Sequence, residues 1–158
     1  MSNMTILTTI EINTPAAKAW KLFGEGFGDW ADWAPGIDSS TLEGPLAQGV
    51  VRVNDTTGLG TVRQELARFD ADGRALAYEM SENLPPFFTK VRNDWAIEEL
   101  GPDRCRLSGQ AIFVLKDEAE AMRGKLEGKM GMSLEVFANA FRERMESIDL
   151  GTVLPTRP

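Results

Sequence analysis

The sequence contains no histidine. This absence excludes catalytic triads built on histidine, histidine metal ligands and the side chain that most often changes charge near neutral pH. The single cysteine, Cys105, excludes an intramolecular disulfide and a multi-cysteine zinc site, and one free thiol is typical of a reducing compartment. We therefore expect a cytoplasmic protein with no metal site and no cofactor.

Long apolar runs and clusters of basic residues are also missing. No apolar stretch reaches the length of about 18 residues that spans a bilayer, and the opening residues lack the basic and apolar regions of a signal peptide. The 24 acidic and 17 basic residues give a net charge of -7, and no run of lysine and arginine is available to bind phosphates. We expect no membrane span and no nucleic-acid partner.

The 158 residues that are present suffice for one domain with a sizeable core. Apolar residues at period two predict a strand over Met4–Ile12, and helical spacing predicts a short helix over Pro15–Phe23. A single helical turn with Trp30 and Trp33 follows. Short alternating runs separated by Gly, Pro and Asp then predict an antiparallel meander of six strands, near Ile37–Leu42, Gly49–Asn54, Gly60–Phe69, Arg74–Ser81, Phe88–Leu100 and Arg104–Lys116.

The hydrophobic period changes again after the meander. Apolar residues recur every three or four positions from Lys116 to Ser147 without a proline, which predicts one helix about 43 Å long. The last residues show no periodicity. We predict a single domain over residues 1–150 and a loose tail over residues 151–158.

Three motifs carry a resemblance to a known family. They are the opening TIEINTPAAKAWKLFGE, the pattern from Phe27 through Trp30 and Trp33 to Ile37, and the strand pair around DADGRALAYEM. In this order they resemble the START-like (SRPBCC) superfamily, in particular its polyketide cyclase/dehydrase-like members. The resemblance implies an α+β helix-grip fold, in which a seven-stranded curved antiparallel sheet wraps around a long C-terminal helix, with two short helices after the first strand. It also implies an elongated apolar cavity that takes a small hydrophobic molecule.

Three polar side chains are predicted to face this cavity. Alternation along the strands places Gln64, Tyr78 and Asn93 on otherwise apolar faces. Burying one of them without a partner costs on the order of 1 to 3 kcal/mol, so each needs a protein group, a water or a ligand. Mutual hydrogen bonds and ligand contact both remain open. A bulge in the strand of Gln64 would invert its parity and turn Arg63 or Glu65 inward.

Apolar contacts to the same ligand are predicted from the sheet and from the long helix. The candidates are Trp95, Phe113, Met122, Leu126 and Met130. Methionine adapts to guests of varied shape, but a helical stripe of this spacing is equally typical of plain core.

One loop of the meander is a candidate lid. It contains Leu84, Pro85, Pro86 and Phe87 in sequence, an apolar cluster that the two prolines make stiff. The alternative is a hairpin end that folds back on Trp20.

Three glycines weaken the first half of the long helix. Gly124, Gly128 and Gly131 lie opposite its apolar stripe, and each costs about 0.5 to 1 kcal/mol relative to alanine. A second subunit could approach closely there, the segment could open as the mouth of the cavity, or the helix could tolerate glycines on a wet face. Both a monomer and a homodimer therefore remain open.

Trp30 and Trp33 admit two interpretations. They could form a stacking platform for a ligand, or they could close the end of the sheet against Phe23 and Phe27. We favour the plug, because large aromatic side chains on a short turn bury most of their area in this way.

Three functions are compatible with these features. The first is binding, sequestration or transport of a small hydrophobic or amphipathic molecule. The second is an enzyme of the cyclase/dehydrase type, with Tyr78 as acid or base, or Arg63 or Glu65 if the parity is inverted. The third is a stress or co-regulatory protein whose cavity is filled by side chains. No catalytic motif decides whether the protein is an enzyme.

Overall fold

The computed structural model describes residues 1–153, and side chains as far as residue 147. Seven strands form one antiparallel sheet in the order β1-β7-β6-β5-β4-β3-β2. Their bounds are β1 Ser2–Ile12, β2 Ile37–Leu42, β3 Val51–Thr56, β4 Gly60–Asp70, β5 Ala75–Glu82, β6 Phe88–Gly101 and β7 Arg104–Leu115. The seven-stranded sheet predicted from alternation is confirmed.

The helical segments follow β1 and β7. Helix α1 spans Ala16–Trp20 and continues into a π-helical turn, Lys21–Glu25, and then a 3₁₀ segment, Phe27–Asp32. After β7, a 3₁₀ segment over Asp117–Met122 leads into the long helix α2, Arg123–Val153. The α+β helix-grip fold is thus confirmed, and no helix in residues 1–153 is long and apolar enough to cross a membrane.

The bounds of the long helix differ from the prediction. Residues 117–122 form the tighter 3₁₀ helix, in which the chain turns every three residues, so the α-helical stripe begins only at Arg123. At the other end α2 includes residues 151–153, which the prediction assigned to the tail. Residues 154–158 lie outside the part of the chain that the structure describes, and the domain boundary stays a prediction.

The inner face of the sheet is covered by α2 and by the helical segments that follow β1. In β7 the buried residues alternate with more exposed ones, as predicted, and β1 lies beside it at the sheet edge and contacts α2. The opposite face of the sheet carries exposed ion pairs such as Arg104 with Glu11 and Arg106 with Glu98. The sheet therefore has one covered, concave face and one solvated face.

The core divides into two clusters along α2. The first joins the helical segments after β1 to the later part of α2, with Phe23, Trp30, Phe141 and Met145 among its buried residues. The second lies near the beginning of α2 and includes Met4, Phe88, Val91, Phe113, Leu115 and Leu126. Leu134 contacts both clusters from the helix.

The tryptophan pair belongs to the first cluster. Trp30 is 1% exposed, its ring centroid lies 4.7 Å from that of Phe23, and its Nε1 donates to the Phe23 carbonyl at 3.0 Å. Trp33 packs on Phe137 and Phe141 of α2, with centroids 5.1 and 5.0 Å away. Both rings close one end of the sheet against the helix, which confirms the plug and not the platform.

The three glycines in the first half of α2 lie in open space. A Cβ built on Gly124, Gly128 or Gly131 meets no heavy atom within 4 Å. No part of the chain that the structure describes approaches them closely.

We expect Gly128→Ala to raise the free energy of unfolding by about 0.5 to 1 kcal/mol, because alanine loses less backbone entropy in a helix and has room here. Urea denaturation measures the change. Gly36→Ala is the contrasting variant, since Gly36 has φ +81° and alanine there is strained. Gly36→Ala should lower the free energy of unfolding by about 1 kcal/mol. A Gly128→Ala variant that is less stable than the parent would contradict the open helix face.

Candidate functional site

The concave face is not fully packed between the two clusters. Asn93 lies there on β6, a strand with neighbours on both sides, between the buried residues Val91 and Trp95 on the same face. It is nevertheless half-buried and not buried. Asn93 is two strands away from the nearer sheet edge, so its partial exposure indicates that side chains pack incompletely over this part of the concave face. Thr8, Gln64, Met80 and Met130 are half-buried around the same region.

An arginine points into this face from β3. Arg52 is 1% exposed, and its neighbours Val51 and Val53 are half-buried on the other face. Its guanidinium carbon lies 3.9 Å from the ring centroid of Phe27 and 4.2 Å from that of Trp30. Such cation–π contacts contribute about 1 to 2 kcal/mol each when desolvated, which offsets part of the burial cost of the charge.

The hydrogen bonds of Arg52 go to neutral acceptors. Its Nη1 donates to the Phe27 carbonyl at 2.9 Å, and its Nε donates to Gln64 Oε1 at 3.1 Å. Its Nη2 also donates to Gln64 Oε1. Within residues 1–147 no carboxylate forms an ion pair with this guanidinium, and burial lowers the pKa of Arg52 to about 10, with a smaller opposing effect from Tyr78.

Gln64 connects Arg52 to the next polar residue of the sheet. Asn54, which is 1% exposed, donates through Nδ2 to Gln64 Oε1 at 3.1 Å and accepts from Ser40 Oγ at 2.6 Å. Three N–H donors therefore converge on one amide oxygen, although an amide oxygen has two lone pairs. The amide nitrogen of Gln64 donates to no side chain or carbonyl in the described part of the chain.

Tyr78 lies next to Arg52 on the neighbouring row of the sheet. Its hydroxyl accepts a hydrogen bond from Trp95 Nε1 at 3.3 Å, and its ring lies 5.1 Å from the Arg52 guanidinium carbon. Burial raises the pKa of Tyr78, and the Arg52 charge opposes this effect. Burial also raises the pKa of Cys105, the third buried titratable side chain on this face, to about 11. None of these three groups exchanges protons readily at neutral pH.

The structure brings four of the predicted ligand contacts together on the concave face: Gln64, Tyr78, Asn93 and Trp95. The parity is the one expected from alternation, because Val62 and Leu66 flank Gln64 as buried residues, while Arg63 and Glu65 face the other side. The pairing of β4 with β5 does shift register, between Arg63 and Gln64 and again between Leu66 and Arg68, but Gln64 stays on the same face as Val62 and Leu66.

The other predicted contacts lie towards the second cluster. Phe113 and Leu126 are buried in it, and Met130 is packed against it while half-buried. Met122 is different: it ends the 3₁₀ segment and is 37% exposed, so it does not belong to the inward stripe of α2. The change of helical period at Arg123 is the physical reason for this error.

The predicted lid loop closes the same end. Leu84 and Phe87 pack against the second cluster, Pro85 is half-buried and Pro86 is exposed. The alternative in which the loop folds back on Trp20 is wrong, because Trp20 packs on Phe69 with ring centroids 5.5 Å apart.

Arg52 and Asn54 are the residues that sequence analysis missed. The sequence analysis assigned no residue of this strand to the inner face; in the structure Arg52 and Asn54 are buried, and Val51 and Val53 are half-buried on the other face. One signal in the sequence points to Arg52. The turns mark where β3 and β4 end, and counting back from the turn between them places Arg52 opposite the inward residue Gln64.

A protein-family profile for "Polyketide cyclase / dehydrase and lipid transport" matches residues 4–146. The chain belongs to this family. No curated protein sequence matches it significantly.

Solved structures support the fold of this family member. The Zhui aromatase/cyclase from a Streptomyces species is 20% identical, with TM-score 0.74 over 92% of this chain and 94% of that one. A START superfamily protein from Mycobacterium smegmatis is 17% identical, with TM-score 0.74 over 91% and 98% of the two chains. Norcoclaurine synthase from Thalictrum flavum, bound to a transition-state analogue, is 16% identical, with TM-score 0.75 over 94% and 97%. At these identities the likeness establishes the fold alone.

We expect Arg52→Met to keep the free energy of unfolding at neutral pH within about 1 kcal/mol of that of the parent, because methionine fills the aromatic surroundings without a buried charge. Removing one partner of a buried structural ion pair would instead cost about 3 to 5 kcal/mol. Urea denaturation distinguishes the two cases.

The pH dependence of the same variant tests the buried charge. The pKa of Arg52 is lowered to about 10 in the folded protein, so folding is penalised while the side chain is charged, and the penalty decreases as pH rises through the folded pKa. Relative to Arg52→Met, the parent should gain about 1 kcal/mol of stability between about pH 8 and about pH 11. A difference that stays flat or falls would contradict a desolvated guanidinium at this position.

Proposed function

We propose that the protein binds a small hydrophobic or amphipathic molecule in the gap between the concave face and α2, and sequesters or carries it. The observation that supports the proposal is the half-buried state of Asn93 at the centre of the sheet. A gap bordered by apolar side chains and a few polar groups is the usual form of a small-molecule site. The family description, which combines cyclase, dehydrase and lipid transport, agrees with this class of ligand.

The residues around the gap divide into two roles. Trp95, Phe113, Leu126 and Met130 supply apolar surface. Asn93 makes no side-chain hydrogen bond to the part of the chain described by the structure, so its amide is available to orient a guest. The loop of residues 84–87 covers the end near the second cluster and serves as the lid.

A cyclase or dehydrase activity is the second candidate. The solved Zhui aromatase/cyclase and norcoclaurine synthase share the fold, which makes an enzyme on this scaffold reasonable. Acid–base catalysis by Tyr78 is disfavoured, because its pKa is raised and its hydroxyl is buried against Trp95. Catalysis here would depend mainly on holding a flexible substrate in a reactive shape.

Binding of the uncharged fluorescent probe N-phenyl-1-naphthylamine tests the gap. We expect its emission to rise in the presence of the parent protein and the affinity to fall by about tenfold or more in Thr8→Trp, because an indole on the inner face of β1 occupies the gap.

Thr9→Trp is the matched control. Thr9 is the next residue of β1 and is exposed on the opposite face, so the same substitution leaves the gap open and probe affinity within about twofold. Equal loss in both variants, or no binding to the parent, would reject the proposed site.

A further inference from the structure

We propose that the ligand carries a carboxylate, and that Arg52 is the group that receives it. The inference rests on the proposed function, since it names the head group of a molecule bound in the same gap. It starts from the three N–H donors that converge on Gln64 Oε1 and from a guanidinium surrounded by neutral groups.

The convergence of donors favours an anionic oxygen at the position of Gln64 Oε1. Two of the donors belong to Arg52 and one to Asn54. A neutral amide oxygen accepts two strong hydrogen bonds, whereas a carboxylate offers about four acceptor positions and matches the planar fork of arginine. Gln64 is therefore an incomplete partner for this donor set.

The charge of Arg52 favours the same ligand class. The rings of Phe27, Trp30 and Tyr78 attract the guanidinium but do not neutralise it. A carboxylate in this water-poor environment gains a charge-assisted, bidentate hydrogen bond that water would otherwise weaken. An uncharged hydroxyl of similar size gains much less.

Gln64 also provides the route from the gap to Arg52. Its side chain is half-buried on the concave face, and its amide nitrogen has no acceptor in the described part of the chain. Rotation of this flexible side chain towards the gap would release the donors of Arg52 and Asn54 to the carboxylate. The Gln64 amide nitrogen could then donate to the second carboxylate oxygen.

Competition between matched acids and alcohols tests the inference. Decanoate is compared with 1-decanol, and 2-naphthoate with 2-naphthol, each displacing N-phenyl-1-naphthylamine at pH 7. In the parent protein we expect each acid to compete about tenfold or more strongly than its uncharged counterpart. In Arg52→Met the preference should fall to about twofold or less.

Arg68→Met is the matched control, because Arg68 lies on the same strand as Gln64 with its side chain 54% exposed. The acid preference should be unchanged in this variant. If Arg52→Met does not fold, the preference for acid over uncharged analogue is measured in Arg52→Gln instead. This preference is a ratio of two affinities, so it does not depend on how tightly the variant binds overall.

Two outcomes overturn the inference. One is equal competition by acid and uncharged analogue in the parent, including failure of both acids to compete. The other is a preference that survives in the Arg52 variants. If the probe still binds the parent and Thr8→Trp still weakens it, either outcome leaves the proposed function standing.

Discussion

The packing of one helix against a curved sheet determines where side chains on the concave face touch and where they do not. At one end Phe137 and Phe141 of α2 lie against Phe23 and the tryptophans. At the other end Leu126 belongs to the cluster around Phe113. Between the two ends Leu134 contacts both clusters, and Phe137 packs on Trp95 of β6 with ring centroids 5.2 Å apart. Asn93, two residues before Trp95 on the same face, stays half-buried.

The sequence predicts the architecture because its signals are local and repeated. Alternation in β7, the turn residues between strands and the helical spacing after Lys116 each depend on near neighbours, and they agree with one another. The same rule placed Gln64 and Asn93 inward correctly. For β3 alternation alone does not say which face is inward, and tertiary contacts with Phe27 and Trp30 turn Arg52 to the inner face. Helical spacing failed for Met122, since the local sequence does not distinguish a 3₁₀ turn from the first turn of an α-helix.

The polar side chains of the concave face are arranged as a connected group across four strands. Ser40, Asn54, Gln64 and Arg52 are joined by hydrogen bonds, and Tyr78 continues the group through its contact with the guanidinium. Apolar side chains of similar volume would satisfy the core at lower electrostatic cost. The hydrogen-bonded polar side chains therefore lower the stability of the fold and make the inner surface chemically specific. Such an opposition between stability and function is common in proteins.

Tyr78 is the only tyrosine in the chain, and it lies between Arg52 and Trp95. The ultraviolet absorbance change of a phenol on ionisation therefore originates from one known place, beside the buried guanidinium. A spectrophotometric titration of the unlabelled protein therefore reports on the charges around Tyr78, including the ionisation of Arg52. Any molecule that brings negative charge to Arg52 would displace that titration towards higher pH, so the chain contains its own optical indicator of what occupies the gap.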